Sequence, residues 1–251
     1  MDKAEQVYGH HAVAALLTQR PEAVKKLLVA KGANRPQLDA LVASSQAAGV
    51  AVQQLPRREL DALAPDARHQ GVIAVIRSDA WLRDEKTLPD FIASLHEPAL
   101  LLVLDGVQDP HNLGACLRSA DGAGAHALIM PRDRAAGVSP VVHKVASGAV
   151  QSVPIFAVTN LARSLRVLRD AGVWLFGASD DAGEGLYDSD LTGPVALVLG
   201  GEGSGLRRLT REHCDHLIAI PMAGRVESLN VSVAAGVLLY EARRQRLQDI
   251  K

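Results

Sequence analysis

The chain has 251 residues, of which 48% are apolar, and its 27 Lys and Arg against 28 Asp and Glu give a net charge of −1. This apolar content is enough for a substantial core and excludes a disordered chain. The near-neutral charge excludes a protein that is basic overall, and 3% aromatic residues exclude a nucleic-acid surface built mainly on stacked bases. Any RNA partner would therefore contact local basic clusters.

The two cysteines, Cys116 and Cys214, are far apart and lack the spacing of metal ligands. We therefore predict reduced thiols in a cytoplasmic protein, and no metal site. The longest apolar runs have the length of strands, so neither a signal peptide nor a membrane span is predicted.

Residues 1–76 are predicted to form a compact α/β unit. Apolar periodicity and turn residues predict a turn that runs into a helix within 8–17, helices at 36–48 and 57–63, and strands at 24–30, 50–55 and 71–76. The basic residues of the unit suit either a solvated surface or phosphate contact: Lys25, Lys26, Lys31, Arg35, Arg57 and Arg58. Residues 77–98 mix charges with two prolines, contain a predicted short apolar helix at 88–95, and are predicted to be a linker.

From residue 99 to 251 apolar runs alternate with helical patterns. The predicted strands are 99–104, 127–130, 154–158, 173–178, 195–199 and 217–220. The predicted helices are 113–123, 140–147, 161–170, 208–213 and 231–247. Several strands are apolar throughout rather than alternating, which is typical of a parallel sheet covered on both faces. The sequence therefore predicts an α/β domain over 99–251.

Three runs near the end of this domain, 196–205, 217–222 and 226–236, predict a ligand site. The first two are short strands that break into loops marked by glycine or proline, and the third opens a helix. Such loops expose backbone groups where open α/β sheets bind ligands. Glycines at 200–205 let the backbone approach a ligand closely, and Glu202 stands among them. The alternative is an ordinary strand–turn–helix connection with Glu202 solvated. The run matches neither a P-loop nor the dinucleotide fingerprint.

Polar residues also follow the first strand of this domain. Asp109 or Asn112 suits a helix cap, and Pro110 suits the first helical position. Arg118 lies six positions after Asn112 among apolar neighbours, so its guanidinium must find a partner or reach a cleft. Three histidines are candidate bases with equally plain structural alternatives: His10, His11 and His111.

Taken together, these motifs resemble the SpoU-type (TrmH-like) RNA ribose 2′-O-methyltransferases of the SPOUT superfamily. The family's first motif, an Asn followed six residues later by an Arg, matches Asn112 and Arg118. Its second, a strand and a glycine-rich loop with a Glu, matches 197–205. Its third, a strand-Pro segment followed by Ser-Leu-Asn-Val-Ser, matches 220–222 and 228–232.

The N-terminal segments 8–13 and 69–71 also resemble the family's small RNA-binding domain, so the resemblance covers nearly the whole chain. It is closest to the branch that methylates a guanosine in the peptidyl-transferase region of 23S ribosomal RNA. The resemblance implies a trefoil-knotted catalytic domain, an N-terminal α/β domain like ribosomal protein L30e, a homodimer and the cofactor S-adenosylmethionine. Carried-over cofactor contacts are Leu199, Gly200, Gly201, Ile220, Met222 and Leu229. Carried-over catalytic residues are Arg118, Asn112, Glu202, Ser228 and Asn230.

The resemblance makes Arg118 the catalytic arginine. We expect it to stabilise charge and position phosphate rather than act as a base, because a guanidinium loses its proton only above pH ~12. Glu202, Ser228 and Asn230 are expected to orient Arg118 or the ribose, and Asn112 to hold the loop or the substrate. Glu202 is an alternative base if it reaches the 2′-hydroxyl.

Three other functions stay open at this point. A tRNA ribose 2′-O-methyltransferase would share the catalytic motifs. A catalytically silent RNA-binding assembly factor would not need all five catalytic residues, and a small-molecule α/β enzyme would give the first 76 residues no role. Glu227 precedes the third motif where relatives often have a small or neutral residue, which disfavours RNA contact at that position.

Overall fold

The structure is a computed structural model that describes residues 6–32, 36–65, 69–77, 81–201, 203 and 205–248. The chain forms two compact units, Met1–Trp81 and Leu82–Lys251. None of the helices within the described ranges has the length and apolarity needed to cross a membrane.

The smaller unit is a four-stranded sheet with helices between its strands. Its elements are β1 (Gln6–Tyr8), α1 (His10–Gln19), β2 (Val24–Ala30), α2 (Pro36–Ala47), β3 (Ala51–Leu55), α3 (Arg57–Leu63) and β4 (Val72–Ile76). The strand order is β1-β4-β2-β3, with β4 antiparallel to both neighbours and β2 parallel to β3. The predicted turn into the first helix is confirmed: Tyr8 pairs with Ile73 in β1, Gly9 turns the chain with φ 89°, and α1 begins at His10.

The larger unit is built on an eight-stranded sheet in which every neighbouring pair is parallel. Its strands are β5 (Leu82–Arg83), β6 (Leu100–Asp105), β7 (Ala127–Pro131), β8 (Ile155–Val158), β9 (Trp174–Ala178), β10 (Glu184–Gly185), β11 (Val195–Gly200) and β12 (His216–Ala219). Its helices are α4 (Leu88–Ala93), α5 (Pro110–Ala123), α6 (Pro140–Ala146), α7 (Ala149–Ser152), α8 (Leu161–Asp170), α9 (Arg208–His213) and α10 (Val231–Gln248). The order is β10-β12-β9-β11-β6-β7-β8-β5, which confirms the predicted α/β class with a parallel sheet.

The local sequence explains where the central elements begin and end. Every residue of β6, β7 and β8 is buried, as expected for strands covered on both faces. Asp109 caps α5, because its carboxylate accepts from His111 N at 2.9 Å, and Pro110 occupies the first turn. Gly124 ends this helix in the left-handed conformation, with φ 73°.

The segment predicted as a linker, 77–98, is more structured than expected. From Leu82 onward it belongs to the larger unit: β5 pairs with β8, and Leu88 is 1% exposed in the core. Its charges are used structurally. Glu85 accepts a hydrogen bond from Thr159 N at 2.6 Å and pairs with Arg163 at 2.9 Å. The short helix predicted at 88–95 is present as α4, Leu88–Ala93.

The end of α10 is fastened to the amino edge of the sheet by Arg246. Its guanidinium donates to the carbonyl oxygens of Pro98 at 2.7 Å, Ala99 at 2.9 Å, Gly193 at 2.6 Å and Leu191 at 3.3 Å. These four acceptors precede or begin β6 and β11, so one side chain joins the last helix to two central strands.

Candidate active site

Three loops meet at the carboxyl edge of the larger sheet. β6 and β11 are adjacent parallel strands in which Gly200 pairs with Asp105, so the loops that follow them start side by side. We call 106–109 the first loop and 200–205 the glycine loop. β12 is parallel to β11, with β9 between them, and it leads through a third loop, 220–230, into α10. The carboxyl edge of a parallel sheet is where such folds bind ligands.

The glycine loop folds back on itself. Gly201 and Gly205 form an isolated antiparallel bridge, and a Cβ on Gly200 would lie 2.0 Å from the carbonyl carbon and oxygen of Gly205. A Cβ on Gly201 would lie 2.8 Å from the carbonyl oxygen of Gly106. Gly203 and Gly205 have φ of 73° and 59°, which favours glycine. The glycines at 200 and 201 are therefore required by close contact with the protein's own backbone.

Asp105 joins the first loop to the segment that follows the glycine loop. Its side chain is fully buried, and its Oδ2 accepts from Arg207 N at 3.0 Å, while Arg207 Nε lies 3.4 Å from Oδ1. Gly106 has φ 87°, and a Cβ there would lie 2.7 Å from the Arg207 guanidinium. The sequence analysis missed both Asp105 and Arg207. The available signal was an acidic residue and a glycine ending an otherwise apolar strand.

The first and third motifs are joined by a hydrogen bond between two asparagines. Asn230 Nδ2 donates to Asn112 Oδ1 at 3.1 Å across 118 residues of sequence. Asn230 Oδ1 accepts from Ser232 N at 2.9 Å and from Ser232 Oγ at 2.7 Å, so Asn230 also caps α10. Asn112 is 9% exposed within α5. Both side chains thus hold elements of the site together.

The remaining predicted catalytic residues are placed differently. Arg118 lies on the exposed side of α5 and makes no hydrogen bond or ion pair with any residue in the part of the chain that the structure describes. Ser228 is exposed in the third loop. Glu202 falls outside the described residues. The guanidinium of Arg118 is therefore available to a group from outside this chain.

The predicted cofactor residues divide by burial. Leu199 is 2% exposed and belongs to the core. Ile220 and Leu229 are half-buried, and Met222 is 36% exposed at the start of the third loop. Gly200 and Gly201 are half-buried at the sheet edge. The structure thus places partly exposed apolar side chains and a half-buried main chain without side chains at this edge.

Neither thiol is suited to nucleophilic chemistry. Both cysteines are free, and burial raises the pKa of Cys116 and of Cys214 to about 12, so each keeps its proton at neutral pH. Among the described residues, no three His, Cys, Asp or Glu side chains are grouped so that they could hold a metal ion.

Comparison with known proteins identifies the class that this fold and site define. The sequence model of the SpoU rRNA Methylase family matches residues 99–240, and that of the family "RNA 2'-O ribose methyltransferase substrate binding" matches residues 6–81. The chain therefore belongs to the SpoU rRNA methylase family.

Two relatives illustrate the closeness within that family. The 23S rRNA (guanosine-2'-O-)-methyltransferase RlmB of Yersinia pestis is 53% identical over 97% of this chain and 98% of its own length. The protein of the same name from Escherichia coli (strain K12) is 52% identical over 97% of this chain and 99% of its own length.

Solved structures agree with this assignment. The SpoU methyltransferase AviRb from Streptomyces viridochromogenes, in complex with the cofactor AdoMet, has a TM-score of 0.72 at 28% identity and covers 97% of this chain and 90% of its own. An AdoMet-bound rRNA methyltransferase from Sinorhizobium meliloti has a TM-score of 0.74 at 27% identity and covers 96% of this chain and 87% of its own.

Proposed function

We propose that this protein transfers a methyl group from S-adenosylmethionine to the ribose 2′-oxygen of a guanosine in the peptidyl-transferase region of 23S ribosomal RNA. Relatives named for guanosine 2′-O-methylation of 23S rRNA are 51–53% identical over 97% of the chain. Within the structure, the observation that carries the proposal is the Asn112–Asn230 hydrogen bond, which joins the first and third motifs at the edge that holds the glycine loop.

S-adenosylmethionine fits the residues at this edge. An adenine ring needs an apolar slot and main-chain hydrogen bonds, and the half-buried side chains of Ile220 and Leu229 and the partly exposed Met222 supply apolar surface. Gly200 and Gly201 bring main chain without side chains to the same edge. When bound, the cofactor supplies an electrophilic methyl group. Leu199 supports this surface from the core.

Arg118 is the residue that we assign to the reacting ribose. Its exposed guanidinium has no partner within the described part of the chain, so it can hold a phosphate and stabilise negative charge that develops on the 2′-oxygen. Glu202 is the candidate to accept the 2′-hydroxyl proton. Ser228 offers an exposed hydroxyl for orienting the ribose or Arg118.

For Asn112 and Asn230 the contacts favour a positioning role. The amide nitrogen of Asn230 already donates to Asn112, and its oxygen accepts twice from Ser232. These bonds fix the start of α10 and the end of the third loop. Orientation of the nucleophile for in-line transfer depends on such fixed elements.

We also propose that the protein is a homodimer with α10 at the interface. Val233, Tyr240 and Leu247 recur every seven residues on this helix, and they are 51%, 54% and 51% exposed. An exposed apolar stripe is typical of a surface that another protein covers. Arg118, which has no partner within the described part of the chain, is consistent with a site that a partner subunit completes.

The proposed division of labour follows the two units. Residues 1–76, which belong to the unit Met1–Trp81, would hold the RNA, and the catalytic domain would comprise the predicted 99–251 extended back to Leu82. We propose that the three loops form the family's trefoil knot around the cofactor. We place the reaction in the cytoplasm, where ribosomal RNA is the substrate.

The test is mass spectrometry of 23S ribosomal RNA from cells that lack the protein, compared with cells in which it is restored. We expect one 2′-O-methylguanosine to disappear, to return with the wild type and not to return with Arg118→Ala. Arg166→Ala is the matched control, because Arg166 is an exposed arginine on α8, away from the three loops.

Other outcomes would redirect the proposal. Unchanged ribosomal RNA together with a lost methyl group in transfer RNA would replace the substrate. A growth defect that Arg118→Ala repairs, with no change in any RNA, would indicate a catalytically silent assembly factor.

A further inference from the structure

The smaller unit contains an unusually constrained turn at 69–71. His69 is 4% exposed, its Nδ1 accepts from Gly71 N at 3.1 Å, and its Nε2 lies 2.8 Å from Asp61 Oδ1 on α3. Because Nδ1 accepts from a main-chain N–H, the ring proton is on Nε2 and is donated to Asp61. The ring therefore holds both ends of the turn and fixes the residue between them.

That residue, Gln70, has a left-handed backbone with φ 55°. A glutamine in this conformation is strained, and such strain persists only where the surroundings impose it. The side chain is also fixed, because Gln70 Oε1 accepts from His10 N at 3.2 Å. Because the amide oxygen of Gln70 is bound to His10 N, the two N–H donors of its amide nitrogen are left for another partner. The residue is exposed to solvent.

An aromatic side chain lies at the same end of the sheet. Tyr8 is the last residue of β1 and pairs with Ile73, three residues after Gln70. It is 44% exposed, whereas Trp81, the other aromatic residue of this unit, is 5% exposed. The first turn of α1, which follows Tyr8, carries no acidic residue that would repel a phosphate.

We propose that Tyr8 and Gln70 form a nucleotide-reading site of the smaller unit. An unpaired base of the substrate RNA stacks on Tyr8, and an acceptor atom of that nucleotide accepts from the amide nitrogen of Gln70. Proteins recognise single-stranded RNA by this combination of aromatic stacking and polar groups on base edges. His69 is a positioning residue that holds Gln70. The inference rests on the proposed function, which gives this unit RNA as its ligand.

The first experiment measures fluorescence anisotropy of the purified full-length protein with a labelled 23S fragment that contains the peptidyl-transferase region. Tyr8→Ala should weaken binding roughly tenfold, because one stacked base is lost. Tyr8→Phe keeps the ring and should bind within about twofold of wild type. Tyr187→Ala is the matched control, since Tyr187 is a 58% exposed tyrosine in the larger unit.

The second variant separates RNA binding from folding. Gln70→Gly removes the amide but relieves the strain of the left-handed backbone. The melting temperature of the variant should therefore fall, at most, by the small amount that the loss of one exposed hydrogen bond causes. RNA affinity should nevertheless drop severalfold. The KM for RNA should rise for both variants, while kcat at saturating RNA and the Kd for S-adenosylmethionine should stay unchanged.

The outcomes distinguish this inference from the function on which it rests. If wild type methylates the fragment and both Tyr8→Ala and Gln70→Gly bind it with wild-type affinity, the nucleotide-reading site is wrong and the proposed function stands. If wild type methylates no form of the fragment, the proposed function itself fails.

Discussion

The substitution Gly200→Ala adds a methyl group that would lie 2.0 Å from the carbonyl carbon and oxygen of Gly205 and 2.4 Å from Leu206 N. Carbon atoms in van der Waals contact are about 3.5–4.0 Å apart, so the glycine loop must move by more than about 1 Å. Overpacking of this kind costs about 1–3 kcal/mol of stability. If the glycine loop binds S-adenosylmethionine as proposed, a displaced loop also loses main-chain bonds to it, and two or three such bonds at about 1 kcal/mol each correspond to roughly 100-fold weaker binding.

Isothermal titration calorimetry gives the Kd for S-adenosylmethionine, and urea unfolding gives the stability of each variant. Two other glycines serve as controls. A Cβ on Gly203 meets no atom within 4 Å but the residue has φ 73°, so Gly203→Ala should cost about 1 kcal/mol through backbone strain. Gly183→Ala has open space without a positive φ and should be neutral. Cofactor affinity for Gly200→Ala within about threefold of wild type would refute the reasoning.

Two further predictions concern the larger unit. Arg246→Ala leaves four carbonyl oxygens without their common donor and should lower the free energy of unfolding, measured in urea, by about 2–4 kcal/mol. Arg246→Lys should restore only part of this stability, because an ammonium lacks the planar fork of donors. Full restoration by lysine would contradict the assigned role of the guanidinium. Cys116 and Cys214, whose pKa burial raises to about 12, should resist iodoacetamide at neutral pH until the protein unfolds. Between about pH 9 and 12 the folded thiols keep protons that the unfolded chain releases, so the free energy of unfolding should fall as pH rises through that window, and the double Cys→Ser variant should lose this slope.

Much of the architecture was predictable because the signals are local. Continuous apolar runs gave β6, β7 and β11 to within about a residue or two, and the helical patterns at 57–63 and 208–213 gave α3 and α9 at the bounds observed. The two- and three-residue strands β1, β5 and β10 were missed. Strands that short carry no alternation of their own and exist only because a neighbouring strand offers its hydrogen bonds.

The candidate site was harder to predict because its contacts are non-local. Only the family resemblance brought Asn112 and Asn230 into one site; no spacing in the sequence links residues 118 positions apart. The glycines at 200 and 201 were interpreted as clearance for a ligand, whereas their first requirement is contact with Gly205 and Gly106. Asp105 went unnoticed because its partner, Arg207, is 102 residues away.

The fastening of α10 has a consequence for the order in which the catalytic unit matures during synthesis. Asn112 and the carbonyl of Ala99 are translated well before their partners, Asn230 and Arg246, which follow them by 118 and 147 residues. Until this segment is released, Asn112 on α5 lacks its partner Asn230, and the carbonyl oxygens at the amino edge of the sheet lack the Arg246 guanidinium. The nascent enzyme therefore stays without a finished site until residues 230–248 have been translated, and a chain cut short before α10 would keep most of its core while lacking the contacts that assemble that site.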